Sequence, residues 1–313
     1  MHRLEQDLDH VLEHTAGIWE DLRGERLFIT GGTGFVGAWL VESFIWANNK
    51  LNLGAHALVL SRRVQTARDE CVEYITGDGT GFEYPDGAFP FIIHGANDPS
   101  FDVNVQTTAR VVEFARTHGT NRLLFTSSGA VYGRQPPEMT HLTETYIGEP
   151  ITSYGRAKQE SEKLCLQSGS VIARLFAFVG PYLPLDANYA VGNFIGNVLR
   201  GEPVRISGDG TPFRSYLYAA DLAIWLWTML LKGEAGRAYN VGSPAAVSIA
   251  KLAETVVRNT RPDTPILIAG APQQDVVPQR YIPSVDRARK ELGLSVLVDL
   301  ADGIRRTYNW HRG

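Results

Sequence analysis

Short apolar runs alternate with helically spaced apolar residues along the first half of the chain. Runs typical of buried strands lie at residues 27–30, 55–60, 72–75, 91–94, 122–126 and 170–176. Spacing typical of helices is found at residues 35–46, 107–117 and 154–167. Strands that alternate with helices at this spacing favour a parallel sheet covered by helices on both faces. We therefore predict an α/β fold with a doubly wound parallel sheet.

The two ends of the chain follow other patterns. Four apolar residues recur at helical spacing near the start: Leu4, Leu8, Val11 and Leu12. Beyond residue 180, Pro, Gly and irregular stretches dominate, with helices indicated at residues 191–199, 219–231, 249–260 and 284–292. We predict a helical extension over residues 1–25, a cofactor-binding domain over 26–180 and a smaller C-terminal α/β substrate lobe over 181–313. Residues 215–243 are expected to thread back into the first domain.

Composition and charge exclude several classes of protein. A chain of 313 residues with 44% hydrophobic and 20% charged residues is neither disordered nor collagenous. Its net charge of −4 offers no basic excess for general nucleic-acid binding. No apolar run is long enough for a membrane span, and the first residues lack the apolar stretch of a signal peptide. Cys71 and Cys165 have no metal-ligand spacing. We expect a cytoplasmic protein without a metal site, a nucleic-acid partner or a membrane partner.

A glycine-rich loop, TGGTGFVG at residues 30–37, lies between the first predicted strand and its helix. Glycines at these positions permit a tight turn and let backbone N–H groups approach a pyrophosphate at the helix N-terminus. The alternative is a glycine-rich turn without a ligand. The strand before the loop and the helix after it favour a dinucleotide site in a Rossmann-type sheet. The loop residues expected to contact the cofactor are Gly31, Thr33, Gly34, Phe35, Val36 and Gly37.

The end of the next strand bears on which dinucleotide binds. An NAD site usually offers Asp or Glu to the ribose here, whereas this chain has Ser61, Arg62 and Arg63. A hydroxyl and two guanidinium groups suit a ribose 2′-phosphate. We therefore predict NADP(H), with NAD(H) as the alternative; the two arginines could also be a solvated pair. Asp78 could accept a hydrogen bond from the adenine amino group, or serve as a turn residue.

A tyrosine and a lysine four residues apart, Tyr154 and Lys158, fall on one face of a predicted helix. A tyrosine is a poor base at neutral pH unless a neighbouring ammonium stabilises its phenolate, and Lys158 is placed to do this. Ser128, where the fifth predicted strand runs into a hydroxyl-rich turn, can hydrogen-bond the reacting oxygen. Alone, such a pair is often only a surface feature of a helix. After this glycine loop and this serine, it indicates redox chemistry on an alcohol or sugar.

These motifs, in this order, resemble the extended short-chain dehydrogenase/reductases of the nucleotide-sugar epimerase/dehydratase family. The resemblance covers most of residues 26–310. Besides the glycine loop, it rests on HGAN at 94–97, SSGAVYG at 127–133, SYGRAK at 153–158, RLFAFVGP at 174–181, GNFI at 192–195, GDGTPFRSYLYAADLA at 208–223, YNVGS at 239–243 and QRYIPSVDRARKELG at 279–293.

The resemblance implies roles for individual residues. Ser128, Tyr154 and Lys158 would move a proton while C4 of a sugar exchanges hydride with the nicotinamide. Ala96 would lie beside the cofactor. Four residues would contact a nucleotide-diphosphate sugar: Tyr132, Asn193, Arg214 and Arg280. The last three could instead cap a helix, face solvent or form an ordinary salt bridge.

The resemblance also implies a homodimer built by pairing the helices near residues 104–118 and 154–167. Phe114 and Leu164 are possible contacts between the subunits, although burial in the core of one subunit explains them as well.

Departures from the family pattern narrow the expected activity. The family's 4,6-dehydratases carry Asp-Glu directly after the catalytic hydroxyl, and its decarboxylases tend to keep the Glu; here these positions are Gly129 and Ala130, which cannot transfer a proton. Ala177 stands where many members have Asn. We therefore predict a nucleotide-sugar 4-epimerase before a dehydratase or decarboxylase.

Three alternatives to the epimerase remain. An NADPH-dependent 4-keto-sugar nucleotide reductase would use the same three catalytic residues, and the Arg62-Arg63 pair favours it. A dehydrogenase of a non-sugar alcohol is disfavoured by the segments at 192–195 and 208–218, which suit a nucleotide and its phosphates. A protein that binds NADP(H) without turnover would be expected to lose Tyr154 or Lys158.

Overall fold

The computed structural model describes residues 2–67, 69–187, 189–273 and 276–313. Its strands are β1 (Arg26–Thr30), β2 (His56–Ser61), β3 (Val72–Thr76), β4 (Phe91–His94), β5 (Arg122–Ser128), β6 (Val171–Leu175), β7 (Phe178–Val179), β8 (Val204–Ile206), β9 (Phe213–Arg214), β10 (Leu217–Tyr218), β11 (Ala238–Val241), β12 (Val247–Ser248) and β13 (Ile266–Ile268). Its α-helices are α1 (Glu5–His14), α2 (Phe35–Leu51), α3 (Phe101–Thr117), α4 (Ser153–Gln167), α5 (Ala190–Arg200), α6 (Ala219–Lys232), α7 (Ile249–Thr260), α8 (Asp286–Leu292) and α9 (Leu300–Arg312), with 3₁₀ turns at Trp19–Leu22 and Gly129–Tyr132.

A seven-stranded parallel sheet forms the centre of the molecule, in the order β3-β2-β1-β4-β5-β6-β11. Strand β1 pairs with β2 on one side and β4 on the other, so the direction in which strands are added reverses after β3. Ligands of open parallel sheets bind outside the carboxyl ends of the strands at such a reversal. The predicted Rossmann-type fold is confirmed, and the reversal lies where the glycine loop leaves β1.

The core occupies both faces of this sheet. Leu27 and Ile29 of β1 belong to one apolar cluster and Phe28 to the other, because successive side chains of a strand point to opposite faces. Phe114 of α3 packs 4.9 Å from Phe28 between ring centroids and is fully buried. Phe114 is therefore a core residue and is unavailable as a contact between subunits. Leu164 is half-buried, and the homodimer stays a prediction.

Helix α3 begins six residues earlier than the apolar spacing indicated. The Ser100 side chain caps its N-terminus by accepting from the Val103 N–H group at 3.5 Å. The Asn104 side chain donates to the Ser100 carbonyl at 2.7 Å and so ties the first turn to the loop after β4. Because these contacts are polar, the hydrophobic periodicity does not reveal them, and it predicts too late a start for the helix.

The two ends of the chain pack onto the domain between them. Helix α1 lies on α2 and α6, and Trp19 packs against Trp227 of α6 with ring centroids 4.7 Å apart. After residue 180, β8, β9 and β10 form small two-stranded sheets with other strands, and α5, α7 and α9 pack together. Strand β11, within the segment predicted to return, joins the edge of the main sheet beside β6. The division into three domains stays a prediction.

Within the described ranges, no helix combines the length and the apolar character needed to cross a lipid bilayer.

Candidate active site

A cleft of about 1110 Å³ opens at the carboxyl ends of β1, β4 and β5. The glycine loop and the start of α4 line it on the sheet side, while α5 and the segment around β8 and β9 line it from the C-terminal half of the chain. Residues from both halves of the chain therefore meet in one cavity at the position expected for a ligand of this fold.

The glycine loop forms one end of the cleft. Gly31 has a φ of +77°, and a Cβ atom there would overlap the carbonyl oxygen of Gly95 after β4. A Cβ atom on Gly37 would overlap the Gly31 carbonyl oxygen and lie 2.5 Å from the Gly32 Cα atom. Helix α2 starts at Phe35 with no side chain capping it, so its first N–H groups are available to an anion. This cradle of backbone fits the pyrophosphate of a dinucleotide.

The structure brings most of the predicted loop residues to the cleft. Gly31, Gly34, Phe35, Val36 and Gly37 line it, whereas Thr33 lies exposed outside the lining. Ala96 is also outside the lining, and its N–H group donates to the Thr30 hydroxyl at 3.1 Å. Its neighbours Gly95 and Asn97 line the cleft.

The residues predicted for the 2′-phosphate lie at the end of β2, outside the cleft lining. The Ser61 hydroxyl accepts from the Arg63 N–H group at 3.2 Å. Arg62 donates to the carboxylate of Asp98 at 3.0 Å, and its side chain is 68% exposed. Asp98, which directly follows the HGAN motif, was not predicted as a site residue from the sequence.

Asp78 is a turn residue in the structure. Its carboxylate accepts from the Thr80 N–H group at 2.7 Å and from the Thr80 hydroxyl at 2.6 Å. These hydrogen bonds lower the pKa of Asp78. Of its two predicted roles, the structure shows the turn, and the contact with adenine stays a prediction.

The predicted catalytic residues Ser128, Tyr154 and Lys158 all line the cleft. Ser128 is the last residue of β5, and α4 presents the other two from its first turns. The Thr152 hydroxyl caps α4 by accepting from the Gly155 N–H group at 3.0 Å, which fixes where the helix begins. The end of β5 and the start of α4 thus bring the side chains of Ser128, Tyr154 and Lys158 together in the cleft.

Lys158 is buried, and burial lowers its pKa to about 8. Its Nζ donates to the Thr126 carbonyl at 2.9 Å and lies 5.9 Å from the centroid of the Tyr154 ring. Burial raises the pKa of Tyr154, and the Ser128 hydroxyl opposes that effect. Burial is thus the largest influence on the Tyr154 pKa, and stabilisation of its phenolate by Lys158 stays a prediction.

A buried histidine joins the glycine loop to the helices behind it. His94 places Nδ1 2.8 Å from the Thr30 hydroxyl and Nε2 3.0 Å from the Thr108 hydroxyl. Burial, reinforced by the charge of Lys158, lowers the pKa of His94 to about 3. The ring is thus neutral at physiological pH and serves as a rigid bridge under the site.

Tyr132 requires a correction, because the structure does not place it beside a substrate. Its hydroxyl is buried, donates to Asn240 Oδ1 at 2.7 Å and accepts from Arg174 at 2.9 Å. Arg174 also pairs with the buried carboxylate of Glu162 at 2.7 Å. Tyr132 belongs to this buried polar network, which ties β11 to β6 and α4.

At the substrate end, Asn193 and Arg214 line the cleft. Arg280 is outside the lining; it pairs with Phe213, the residue before Arg214, and its guanidinium lies 4.8 Å from the centroid of the Phe213 ring. The Arg280 Nε atom is buried and has no hydrogen-bond partner among the described residues. A buried guanidinium donor of this kind fits a ligand with acceptor oxygens.

Several residues that line the cleft were not predicted from the sequence, among them Tyr189, Arg205, Tyr216 and Tyr281. Tyr281 lies in the motif at 279–293, directly after Arg280, and this adjacency was the only feature of the sequence that pointed to it. The described lining residues include no Asp or Glu. Nor do the described ranges hold any group of three His, Cys, Asp or Glu side chains suited to a metal ion.

Comparisons with known proteins point to one family. Residues 94–242 match the model of the NAD dependent epimerase/dehydratase family. UDP-glucuronic acid decarboxylase 6 of Arabidopsis thaliana is 28% identical over 316 residues, which cover 89% of this chain and 86% of that protein. UDP-glucuronic acid decarboxylase 1 of Xenopus tropicalis is 28% identical over 318 residues, covering 92% and 72%.

Solved structures share the fold along most of the chain. UDP-glucose 4-epimerase of Thermotoga maritima, solved with UDP-glucose, superposes with a TM-score of 0.78 at 22% identity and covers 92% of this chain and 98% of its own. MoeE5 in complex with UDP-glucuronic acid and NAD has a TM-score of 0.78 at 25% identity, covering 92% and 99%. The family model, the relatives and the shared fold confirm the resemblance to the NAD-dependent epimerase/dehydratase family seen in the sequence.

Proposed function

We propose that this protein oxidises a nucleotide-diphosphate sugar at C4 and then reduces it again on the opposite face, as a nucleotide-sugar 4-epimerase. The observation that carries the proposal is the grouping of Ser128, Tyr154 and Lys158 beside the glycine cradle, in a cleft whose described lining has no carboxylate. When bound, the nicotinamide supplies the acceptor and donor of hydride. Epimerisation needs no further acid or base, unlike the loss of water.

The three side chains divide the proton transfer between them. Tyr154, as phenolate, accepts the proton of the C4 hydroxyl and later returns it. Ser128 donates a hydrogen bond to the same sugar oxygen and stabilises charge there. The Lys158 ammonium favours the phenolate, and with a pKa of about 8 it is mostly charged at neutral pH.

The substrate lobe supports a nucleotide diphosphate as the bound group. Arg214 lines the cleft, and Arg280 pairs with Phe213, the residue before Arg214. The unpartnered Nε of Arg280 suits a phosphate oxygen as its acceptor. Asn193, at the start of α5, lines the same end and can bind the nucleotide or the sugar.

For the cofactor, we propose NADP(H), on the residues at the end of β2. No carboxylate follows β2 directly, and Arg62 lies at the surface with its charge shared by Asp98. NAD is the alternative, and it is the cofactor bound in solved relatives such as MoeE5. An NADPH-dependent reductase of 4-keto sugars would use the same residues.

A decarboxylase of a UDP-uronic acid is the second candidate. Eight curated relatives at 27–29% identity carry the name UDP-glucuronic acid decarboxylase. A 4-keto uronate is a β-keto acid, so it can lose carbon dioxide once O4 is stabilised by Ser128 and Tyr154. Ala130, at the position where such enzymes tend to keep Glu, argues for the epimerase as the first candidate.

The test begins with denaturation of the purified protein and identification of any released nucleotide by mass spectrometry. The native protein is then incubated with UDP-, dTDP-, GDP- and CDP-glucose and with UDP-glucuronic acid, with no cofactor added. A product of unchanged mass with inverted C4, and no net change in reduced-nicotinamide absorbance, is the expected result.

Other outcomes overturn the proposal in distinguishable ways. Loss of carbon dioxide from UDP-glucuronic acid would make the protein a decarboxylase. Loss of water would make it a dehydratase. Turnover only when NADPH and a 4-keto sugar are supplied together would make it a reductase.

A further inference from the structure

The space beside Gly129 is filled by a distant tyrosine. A Cβ atom on Gly129 would overlap the Tyr281 hydroxyl oxygen and lie 2.9 Å from the Phe176 Cζ atom. Any side chain at this position, including the Asp of the related dehydratases, would therefore collide with Tyr281. The residue pair Gly129 and Tyr281 replaces a carboxylate next to the catalytic serine with a phenol.

Tyr281 is held firmly in this place. Its ring packs on Phe176 with centroids 4.6 Å apart, and its backbone N–H group donates to the Phe213 carbonyl at 3.2 Å. The next residue, Ile282, donates its N–H group to Gln135 Oε1 at 2.9 Å. Both sides of the residue are thus anchored, and the hydroxyl is presented to the cleft beside Ser128.

The Ser128 hydroxyl has room for a hydrogen bond from the Tyr281 hydroxyl. A serine hydroxyl has one proton to donate and two lone pairs that accept. The Ala130 N–H group takes one lone pair at 3.1 Å. Burial raises the pKa of Tyr281 well above its usual value, so Tyr281 stays protonated and can donate to the second lone pair. The single proton of Ser128 then has only Tyr154 or the sugar oxygen as its acceptor.

We propose that Tyr281 is a positioning residue that fixes Ser128 as a hydrogen-bond donor, either to Tyr154 or to the reacting sugar oxygen. It also closes the space beside Gly129, so the reaction centre is built from hydroxyl groups and one ammonium. This inference rests on the proposed C4 oxidation and adds a residue to its machinery.

The Tyr281→Phe variant tests the positioning role, since it keeps the ring and removes the donor. The groups facing Tyr154 are Ser128, Lys158 and Tyr189, with Tyr281 and Arg214 one layer further out. Without the Tyr281 proton, Ser128 can turn away and stabilises the phenolate less. We expect kcat to fall about 10-fold with KM nearly unchanged, and the rising limb of the pH–rate profile to move up by about 0.5 to 1 pH unit.

Tyr84→Phe is the matched control, because its hydroxyl donates to the Arg110 carbonyl at 3.1 Å and lies outside the cleft lining. This variant should keep the kcat and the pH profile of the natural protein. A Tyr281→Phe enzyme with the unaltered kcat and pH limb would overturn the positioning role, even if the C4 chemistry is established.

A second measurement tests the placement of Tyr281 without any turnover. Gly129→Ala should lower the melting temperature by about 4 °C, because its methyl group meets the Tyr281 hydroxyl. In a protein that already carries Tyr281→Leu, Gly129→Ala should lower the melting temperature by less than half as much. Equal costs in both backgrounds would mean that Tyr281 does not occupy this space. If no nucleotide sugar reacts, the proposed function fails. The comparison of melting temperatures still tests whether Tyr281 lies beside Gly129.

Discussion

The two ends of the cleft are built in opposite ways. The cofactor end consists of backbone from one local segment, residues 30–37, closed against Gly95. The sugar end consists of side chains, with Ser128, Tyr154 and Tyr281 arriving from three separate parts of the chain. A backbone cradle depends on the absence of side chains, whereas a side-chain centre depends on the identity of each one. Substitutions should therefore disable the two ends separately.

The largest effect is expected from removing one oxygen atom at the sugar end. Tyr154→Phe keeps the ring but cannot accept the C4 proton, so we expect kcat to fall about 1,000-fold. Cofactor affinity should stay within about twofold, because the cradle is untouched. Rates with a nucleotide sugar and equilibrium titration with the cofactor provide the two measurements. A variant that retains the natural rate would remove Tyr154 from the proton transfer.

The converse change adds one carbon at the cofactor end. In Gly37→Ala, the new methyl group meets the backbone of Gly31 and Gly32, which cannot move aside like a flexible side chain. We expect cofactor affinity to fall about 100-fold, corresponding to about 3 kcal/mol of strain and displacement. Gly81→Ala is the control, since a Cβ atom there has no neighbour within 4 Å. Calorimetric titration should show a loss only in the first variant.

Lys158 should reveal a conflict between stability and activity. Its pKa of about 8 means that folding disfavours the charged form. Lys158→Met should stabilise the fold at pH 7 by about 1 to 2 kcal/mol, after subtracting the lost hydrogen bond to Thr126, while turnover collapses. The unfolded chain keeps this proton until about pH 10.4, so between pH 8 and 10 the natural protein gains stability from this group. The advantage of the variant in denaturant melts should shrink over that interval and stay constant below pH 7.

The smallest effect concerns the exposed arginine after β2. Arg62→Ala should weaken NADP⁺ binding about 10-fold and leave NAD⁺ binding within about twofold, since only the 2′-phosphate needs the guanidinium. Asp98→Asn removes the carboxylate that shares Arg62 and should shift the preference further toward NADP⁺. Equal losses for both dinucleotides in Arg62→Ala would contradict the assignment of NADP(H).

The part of the site that was predicted is the part encoded by short-range spacing. The glycine loop and the pair Tyr154 and Lys158 each lie within one segment, where turn geometry and helical period connect residue to position. Tyr281 was missed because its approach to Ser128 depends on pairing of the segment around residue 280 with β9. The spacing of residues along the chain does not predict the contact between Tyr281 and Ser128.

Tyr132 was misplaced for a related reason. Its position in the motif was correct, but the direction of its hydroxyl depends on Arg174 and Asn240, which arrive from other strands. The fold itself was predicted more completely, because alternating strands and helices repeat locally along the chain. The start of α3 was the exception, since capping by Ser100 is a polar effect that apolar periodicity does not register.

The late arrival of β11 has a consequence for synthesis of the protein on the ribosome. Strand β6 ends at Leu175, yet its outer neighbour begins only at Ala238. While the intervening residues are translated, the nascent chain exposes an unpaired parallel edge, the kind of surface that recruits other strands. Tyr281 leaves the ribosome later still. The glycine cradle can thus form long before the sugar end is complete. Cofactor that binds at this stage would stabilise the partly synthesised domain until β11 is translated.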